Sequence, residues 1–466
     1  MIKVTLLSFS DGRARVHDSL NDYIIGCRDT ISHALTDTGE VTVVCPEQTI
    51  SSNALAEEAA GWALGQKPDA CILNVPVFAF PNFAGIVARV LADMPKLAIA
   101  PVNGLYPGLG GLQAAAGFIR QTGGHCEKVW GNMDDPTVLE KVMVFLRGAH
   151  AASGLKGQVF GLFGGRSIGI GTGASSPDVW LNRFGVDIDH VDQLEIIRRS
   201  RLVPEEKTHE AFEWLVENIG AIEYDGDKLT PATLSEQINC YIALKEIIAE
   251  KNYAFVGVKC HYEMSEYFVT MCLAAALSND PYDWDGKKEP VALACEADED
   301  AGLTMQVLKL ISGKPVLFMD FRHYFPEDGL FAFCNCGACA TWYASRCEKP
   351  YENLKKVRLC PIIAKYGGGG CHVQFIAAEG VMTFARLIHH MNHYVLQAFE
   401  GEFRSLPAER LKETCTAWPH GYTKVQGDPM ALLERFESNH IHAVSGRYLK
   451  ELEAFCRLKD IEFQLL

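Results

Sequence analysis

Two runs of sequence decide how this chain folds: Pro290-Val-Ala-Leu-Ala-Cys-Glu296-Ala-Asp298-Glu299-Asp300 and Lys314-Pro-Val-Leu-Phe-Met-Asp320-Phe-Arg322-His323. Each opens on an apolar stretch of strand length and ends in carboxylates, and residues 301–311 between them have helical spacing. Strand, helix, strand reads as a βαβ unit, whose strands run parallel and present their carboxyl ends on one edge. Glu296 and Asp320 are therefore expected side by side on that edge. Two acids buried together are costly unless a cation lies between them.

Working outward, the first 150 residues alternate apolar strand candidates (3–9, 41–45, 70–77 and 97–101) with helix candidates (52–64 and 136–147). Such alternation predicts a parallel sheet covered on both faces. A small, polar stretch near 151–157 reads as a boundary, and a second α/β unit follows, with long helices over 206–219 and 231–251. Beyond about residue 314 strand-like runs crowd together between Gly and Pro turns, at 316–319, 330–333, 372–378 and 440–444, closed by a helix over 448–458. The expected fold class is α/β: two N-terminal α/β domains with parallel sheets (1–153 and 154–314) plus a β-rich C-terminal domain (315–466). Glu296 falls in the second domain, and Asp320 and His440 in the third.

The chain has 466 residues, 48% hydrophobic and 22% charged, enough for a large core without disulfides. A formal charge of -15 argues against nucleic acid or an anionic membrane as partner. The start lacks a signal peptide's apolar core, and no run reaches the ~18 apolar residues of a membrane span. A cytoplasmic protein is expected. Sixteen cysteines then read as reduced thiols, most of them small core hydrophobes. The cluster Cys334-Asn-Cys336-Gly-Ala-Cys339, with Cys347 nearby, has a poor metal spacing and reads as a strand-to-helix loop.

Ser438-Asn439-His440-Ile-His442 brings an imidazole, from His440 or His442, toward the two acids. Glu, Asp and His without thiolate suit Mn²⁺ or Mg²⁺ with positions left open for substrate. His389-His390-Met-Asn-His393 has i, i+4 spacing but no carboxylate beside it in sequence, and reads as structural. The glycine-rich run from Gly164 to Gly173 departs from the dinucleotide fingerprint and reads as a loop lining a cleft. Tyr366-Gly-Gly-Gly-Gly370 is a second close approach of backbone.

At these residues the chain resembles the L-fucose isomerase family of metal-dependent aldose–ketose isomerases. The family's metal glutamate, metal aspartate and late Asn-His fall on Glu296, Asp320 and Asn439-His440, with the same interval between the acids. Asp11-Gly12-Arg13, Gly164-Gly165-x-Ser167-x-Gly169, Tyr282-Asp-Trp284, the Gly367–Gly369 run and Trp418-Pro419 follow the family order along most of the chain. The resemblance implies that Glu296, Asp320 and His440 hold Mn²⁺ (or Mg²⁺/Co²⁺), and that Glu296 and Asp320 also move the proton through an enediol. It implies Asn439 and Trp418 at the sugar, and a homo-oligomer, hexameric or trimer-based, in which Arg13 reaches a neighbour's pocket. The chain is shorter than the bacterial fucose isomerases. Lys259 stands where they have a substrate-binding glutamine, and Cys371 where they have a tyrosine. The aldose is thus expected to be L-fucose-like, D-arabinose-like or an anionic hexose that Lys259 selects. The rival readings are an oxidoreductase using the glycine-rich loop or the cysteine cluster, and a non-catalytic sugar-binding protein.

Overall fold

The computed structural model describes residues 1–337 and 339–466, which form two compact units: Met1–Gly154 with Glu453–Leu458, and Leu155–Leu452 with Lys459–Leu466. The first unit carries a five-stranded parallel sheet in the order Val41–Val44, Ile2–Ser8, Ala70–Asn74, Lys96–Ala100, Glu127–Trp130. The central strands are buried throughout, as a sheet covered by helices on both faces requires. Ser52 caps the helix Asn53–Gly65 by accepting from the Leu55 amide. The two units divide at Gly154 and Leu155, within the stretch 151–157; the helix Pro136–Gly154 runs up to that point, with Ala151 and Ala152 buried on its inner face. Small residues serve close helix packing as well as they serve a loop.

The second unit holds a four-stranded parallel sheet, ordered Leu293–Cys295, Phe255–Val258, Val159–Phe163, Asp187–Val191. It also holds a β-barrel. The strands Gly380–His390, His440–Ser445, Leu317–Phe325, Leu330–Cys334, His420–Val425 and His393–Phe403 pair antiparallel in that order, and the last pairs back on the first. Closure removes the open edges of the sheet. A seventh strand, Glu462–Leu465, adds in parallel to His393–Phe403.

The βαβ expectation is therefore corrected. Leu293–Cys295 lies in the parallel sheet and Leu317–Phe325 in the barrel, where both of its neighbours are antiparallel. The helix between them, Glu299–Ser312, is buried on nearly every side because it packs against the parallel sheet and the barrel at once. It joins two sheets instead of crossing over one. Among the described residues no helix is long and apolar enough to cross a membrane.

Candidate active site

Asp320 and His440 are Cα partners across neighbouring antiparallel strands of the barrel, so their side chains share a face. Asp320 is paired on its other side with Cys334, and Asn335, the next residue, donates to its Oδ2 at 3.0 Å. Glu296 arrives from the other sheet. It follows the last residue of Leu293–Cys295, and both it and Ala297 take left-handed backbone conformations, φ 58° and 54°. Two adjacent non-glycine residues in that region are strained, and strain of this kind persists where the surroundings hold it. The turn aims the Glu296 carboxylate at the barrel: its Oε2 lies 3.3 Å from His440 Nε2, and Asp320 Oδ1 lies 3.4 Å from the same nitrogen.

Behind His440 stands Asp298, which caps the helix Glu299–Ser312 by accepting from the Ala301 amide at 2.8 Å. Its other oxygen accepts from His440 Nδ1 at 2.6 Å and from Arg386 Nη1 at 2.8 Å. All three side chains are sealed from solvent. Burial works against the Asp298 carboxylate, but Arg386 and His440 outweigh it and hold its pKa below the ordinary range. Gly173 in the glycine-rich loop permits this packing, because a Cβ there would sit 2.8 Å from Asp298 Cγ. The same loop supplies the Thr172 carbonyl to Arg386 Nη2 at 2.6 Å. The loop is thus packed against the buried Asp298–Arg386 pair.

His440 Nε2 is buried and has no hydrogen-bond partner. With Nδ1 committed to Asp298, it points at two carboxylates, and such a cluster needs positive charge at its centre: a proton on Nε2 or a divalent cation. Without a cation the proton takes that place. Burial opposes it, yet Asp298, Glu296 and Asp320 raise the imidazole to about 10. The donor set fits the implied cation on two counts. Donors 3.3 and 3.4 Å apart are close to the ~3 Å separation of adjacent ligands on one small divalent ion, and the histidine is oriented by a carboxylate as metal-binding histidines are. Burial raises Asp320 to about 6, within reach of a proton-transfer role near neutrality.

The structure separates the two candidate imidazoles. His442, two residues along and on the same face, turns its Nε2 to Arg386 at 3.3 Å, and burial with that guanidinium beside it pushes its pKa well down. Sequence reasoning gives no role to His261, Tyr366 or Arg386. His261 Nε2 lies 3.7 Å from Glu296 Oε1 and 2.9 Å from the Tyr366 hydroxyl. Arg386 does leave a signal, a lone charge within the apolar run Thr383-Phe-Ala-Arg386-Leu-Ile.

The residues assigned to the sugar are placed variously. Trp418 packs its ring 6.0 Å from His372, which in turn lies 5.8 Å from Tyr366, and its indole Nε1 has no partner. Asn439 is exposed, with its Oδ1 3.5 Å from Thr172 Oγ1. Lys259 Nζ is held by Glu263 at 2.7 Å, so its charge is already balanced. Cys371 is fully buried, and in this arrangement its thiol has no surface to offer a sugar. Arg13, in the first unit, is exposed and donates to Asp11. The three histidines 389, 390 and 393 flank a hairpin turn, and each faces a carboxylate from elsewhere: Asp300, Glu437 and Glu462. In the Cys334–Cys339 segment Ala338 lies outside the described residues; Cys339 Sγ donates to the Phe318 carbonyl.

Comparison with known proteins agrees with this architecture. Residues 1–157 match the model of the L-fucose isomerase first N-terminal domain, and residues 333–466 that of the L-fucose isomerase C-terminal domain. L-fucose isomerase of Haemophilus influenzae is 24% identical, across 96% of this chain and 89% of its own length. That of Citrobacter koseri is 24% identical across 90% and 83%, and that of Shigella dysenteriae 23% across 90% and 83%. With two domains of one family matched over more than half of its residues, and relatives aligned along 90% of it or more, the chain belongs to the L-fucose isomerase family and is an aldose–ketose isomerase.

Proposed function

We propose that the protein interconverts a free aldose and its ketose through an enediol, at a divalent cation, Mn²⁺ by preference, held by Glu296, Asp320 and His440. The observation that carries this is His440 Nε2, buried without a partner between two carboxylates while Asp298 fixes the other ring nitrogen. When bound, the cation supplies positive charge beside the oxygens of the reacting carbons, where negative charge grows as a proton leaves C2. The chain does the rest. Asp298 holds His440 in one tautomer, and Arg386 keeps Asp298 ionised. The Glu296 and Asp320 carboxylates hold and return the proton that moves from C2 to C1. The Tyr366–His261 pair beside Glu296 steadies that carboxylate, and the unpartnered Trp418 indole offers the sugar a donor and an apolar face.

Because Lys259 is neutralised by Glu263, we infer a neutral aldose of the L-fucose or D-arabinose type over an anionic hexose. We also place Arg13 in a neighbour's pocket within a homo-oligomer, since it is exposed and its guanidinium is pre-set by Asp11. Sixteen free thiols suit a reducing compartment, the cytoplasm. The test is proton NMR in D₂O on metal-stripped protein with and without Mn²⁺. Ketose that forms only with metal and carries deuterium at C1 supports the reading. Ketose without label would point to hydride transfer and remove the carboxylates from the proton step.

A further inference from the structure

The groups around the candidate centre have thiols as chain neighbours: Cys260 precedes His261, Cys295 precedes Glu296, and Cys336 follows Asn335. These three come from the ends of two parallel strands and from the loop after a barrel strand, yet their Sγ atoms all lie within 4.8 Å of one another. A fourth thiol, Cys272, lies beside them: its Sγ is 3.5 Å from His372 Nδ1, the same nitrogen that lies 2.7 Å from the Cys336 carbonyl. Thiols are poor donors to one another, and nothing in core packing calls for four of them to converge. The His372 imidazole is already engaged, with Nδ1 on the Cys336 carbonyl at 2.7 Å and Nε2 accepting from the Ile363 amide at 3.2 Å.

An all-sulfur donor set selects a soft, closed-shell cation over the hard ions that suit carboxylates. Zinc held at ~2.3 Å by each thiolate sets sulfurs about 3.8 Å apart, so this triangle needs to contract by no more than about 1 Å. We propose that Cys260, Cys295 and Cys336, with Cys272 as fourth ligand, form a structural zinc site directly behind the carboxylate–imidazole centre. The ion ties together the three segments that carry His261, Glu296 and Asn335. It is distinct from the Cys334–Cys339 spacing, since Cys339 is turned to the Phe318 carbonyl.

The four cysteines are between 3% and 7% exposed, so the ion enters as the chain folds. The test is the whole protein produced in cobalt-supplemented, zinc-depleted medium. Cobalt on thiolates gives intense near-ultraviolet charge-transfer absorption, which cobalt on carboxylate and imidazole does not. The expected result is that band in the wild type at one thiolate-bound cobalt per chain, its loss in Cys336→Ser, and its retention in Cys334→Ser. No such band in the folded wild type, or an undiminished band in Cys336→Ser, would overturn the proposal, whatever the isomerase activity of either protein.

Discussion

Asp298 shows how one side chain can be given two tasks and how they can be separated. It caps a helix and it orients His440. Asparagine caps a helix as well as aspartate does but cannot carry the charge that faces the imidazole. Asp298→Asn is therefore expected to keep the cap but to leave the buried Arg386 without its counter-charge, at a cost of about 3–5 kcal/mol in stability, and the folded variant to lose roughly 10–100-fold in Mn²⁺ affinity, read by metal titration. Glu296→Gln should lower turnover by at least ~100-fold while the fold persists; near-normal rates would remove Glu296 from the proton step. The two acids and a nearby imidazole are legible in the sequence because strand ends and the His440-Ile-His442 run announce them, while the choice of His440 comes from the resemblance. His261 and Tyr366 are not, since each is an ordinary residue until the fold sets it beside Glu296.

Among the elements, the barrel strand His420–Val425 has a consequence for acid stability. His420 is fully buried, with Nδ1 donating to the Trp418 carbonyl at 2.8 Å and Nε2 accepting from the Thr414 hydroxyl at 2.7 Å. Burial lowers its pKa from the ordinary 6.5 to about 4. The unfolded chain thus binds a proton that the folded chain refuses. Stability from this group is complete above about pH 6.5 and is lost as pH falls toward 4, by an amount on the order of 3 kcal/mol. Denaturant midpoints measured at pH 7, 5.5 and 4.5 should fall less steeply in His420→Gln than in the wild type; parallel curves would mean that the imidazole titrates normally. Element boundaries are otherwise readable where punctuation is strong. The helix Pro231–Lys251 is such a case: proline opens it, Thr230 caps it, and Asn252 ends it in the left-handed region.

For the whole molecule, the carboxylate–imidazole centre is where two sheets meet, so its cation should stabilise the second unit as a unit. Mn²⁺ at one hundred times its Kd is expected to add about 2.7 kcal/mol, seen as a raised thermal midpoint in the wild type and not in His440→Ala. Assembly is tested at Arg13. If a neighbour's pocket uses it, Arg13→Ala loses kcat/KM while its thermal midpoint and its mass by light scattering are those of the wild type; unchanged kinetics would confine Arg13 to its pair with Asp11.

The sequence by itself determined the alternation of strands and helices, the β-rich end, and the residue types of the carboxylate–imidazole centre, because these depend on local spacing and on chemistry carried within a few residues. It misjudges the connection from Glu296 to Asp320. A strand, a helix and a strand read the same whether the second strand joins the first sheet or opens another, since pairing partners lie far off in the chain: Asp320 meets His440 only through barrel register. The grouping of Cys260, Cys295 and Cys336 is hidden for the same reason. Which distant backbones hydrogen-bond is settled by how whole buried faces fit together, and that is the decision tertiary structure makes.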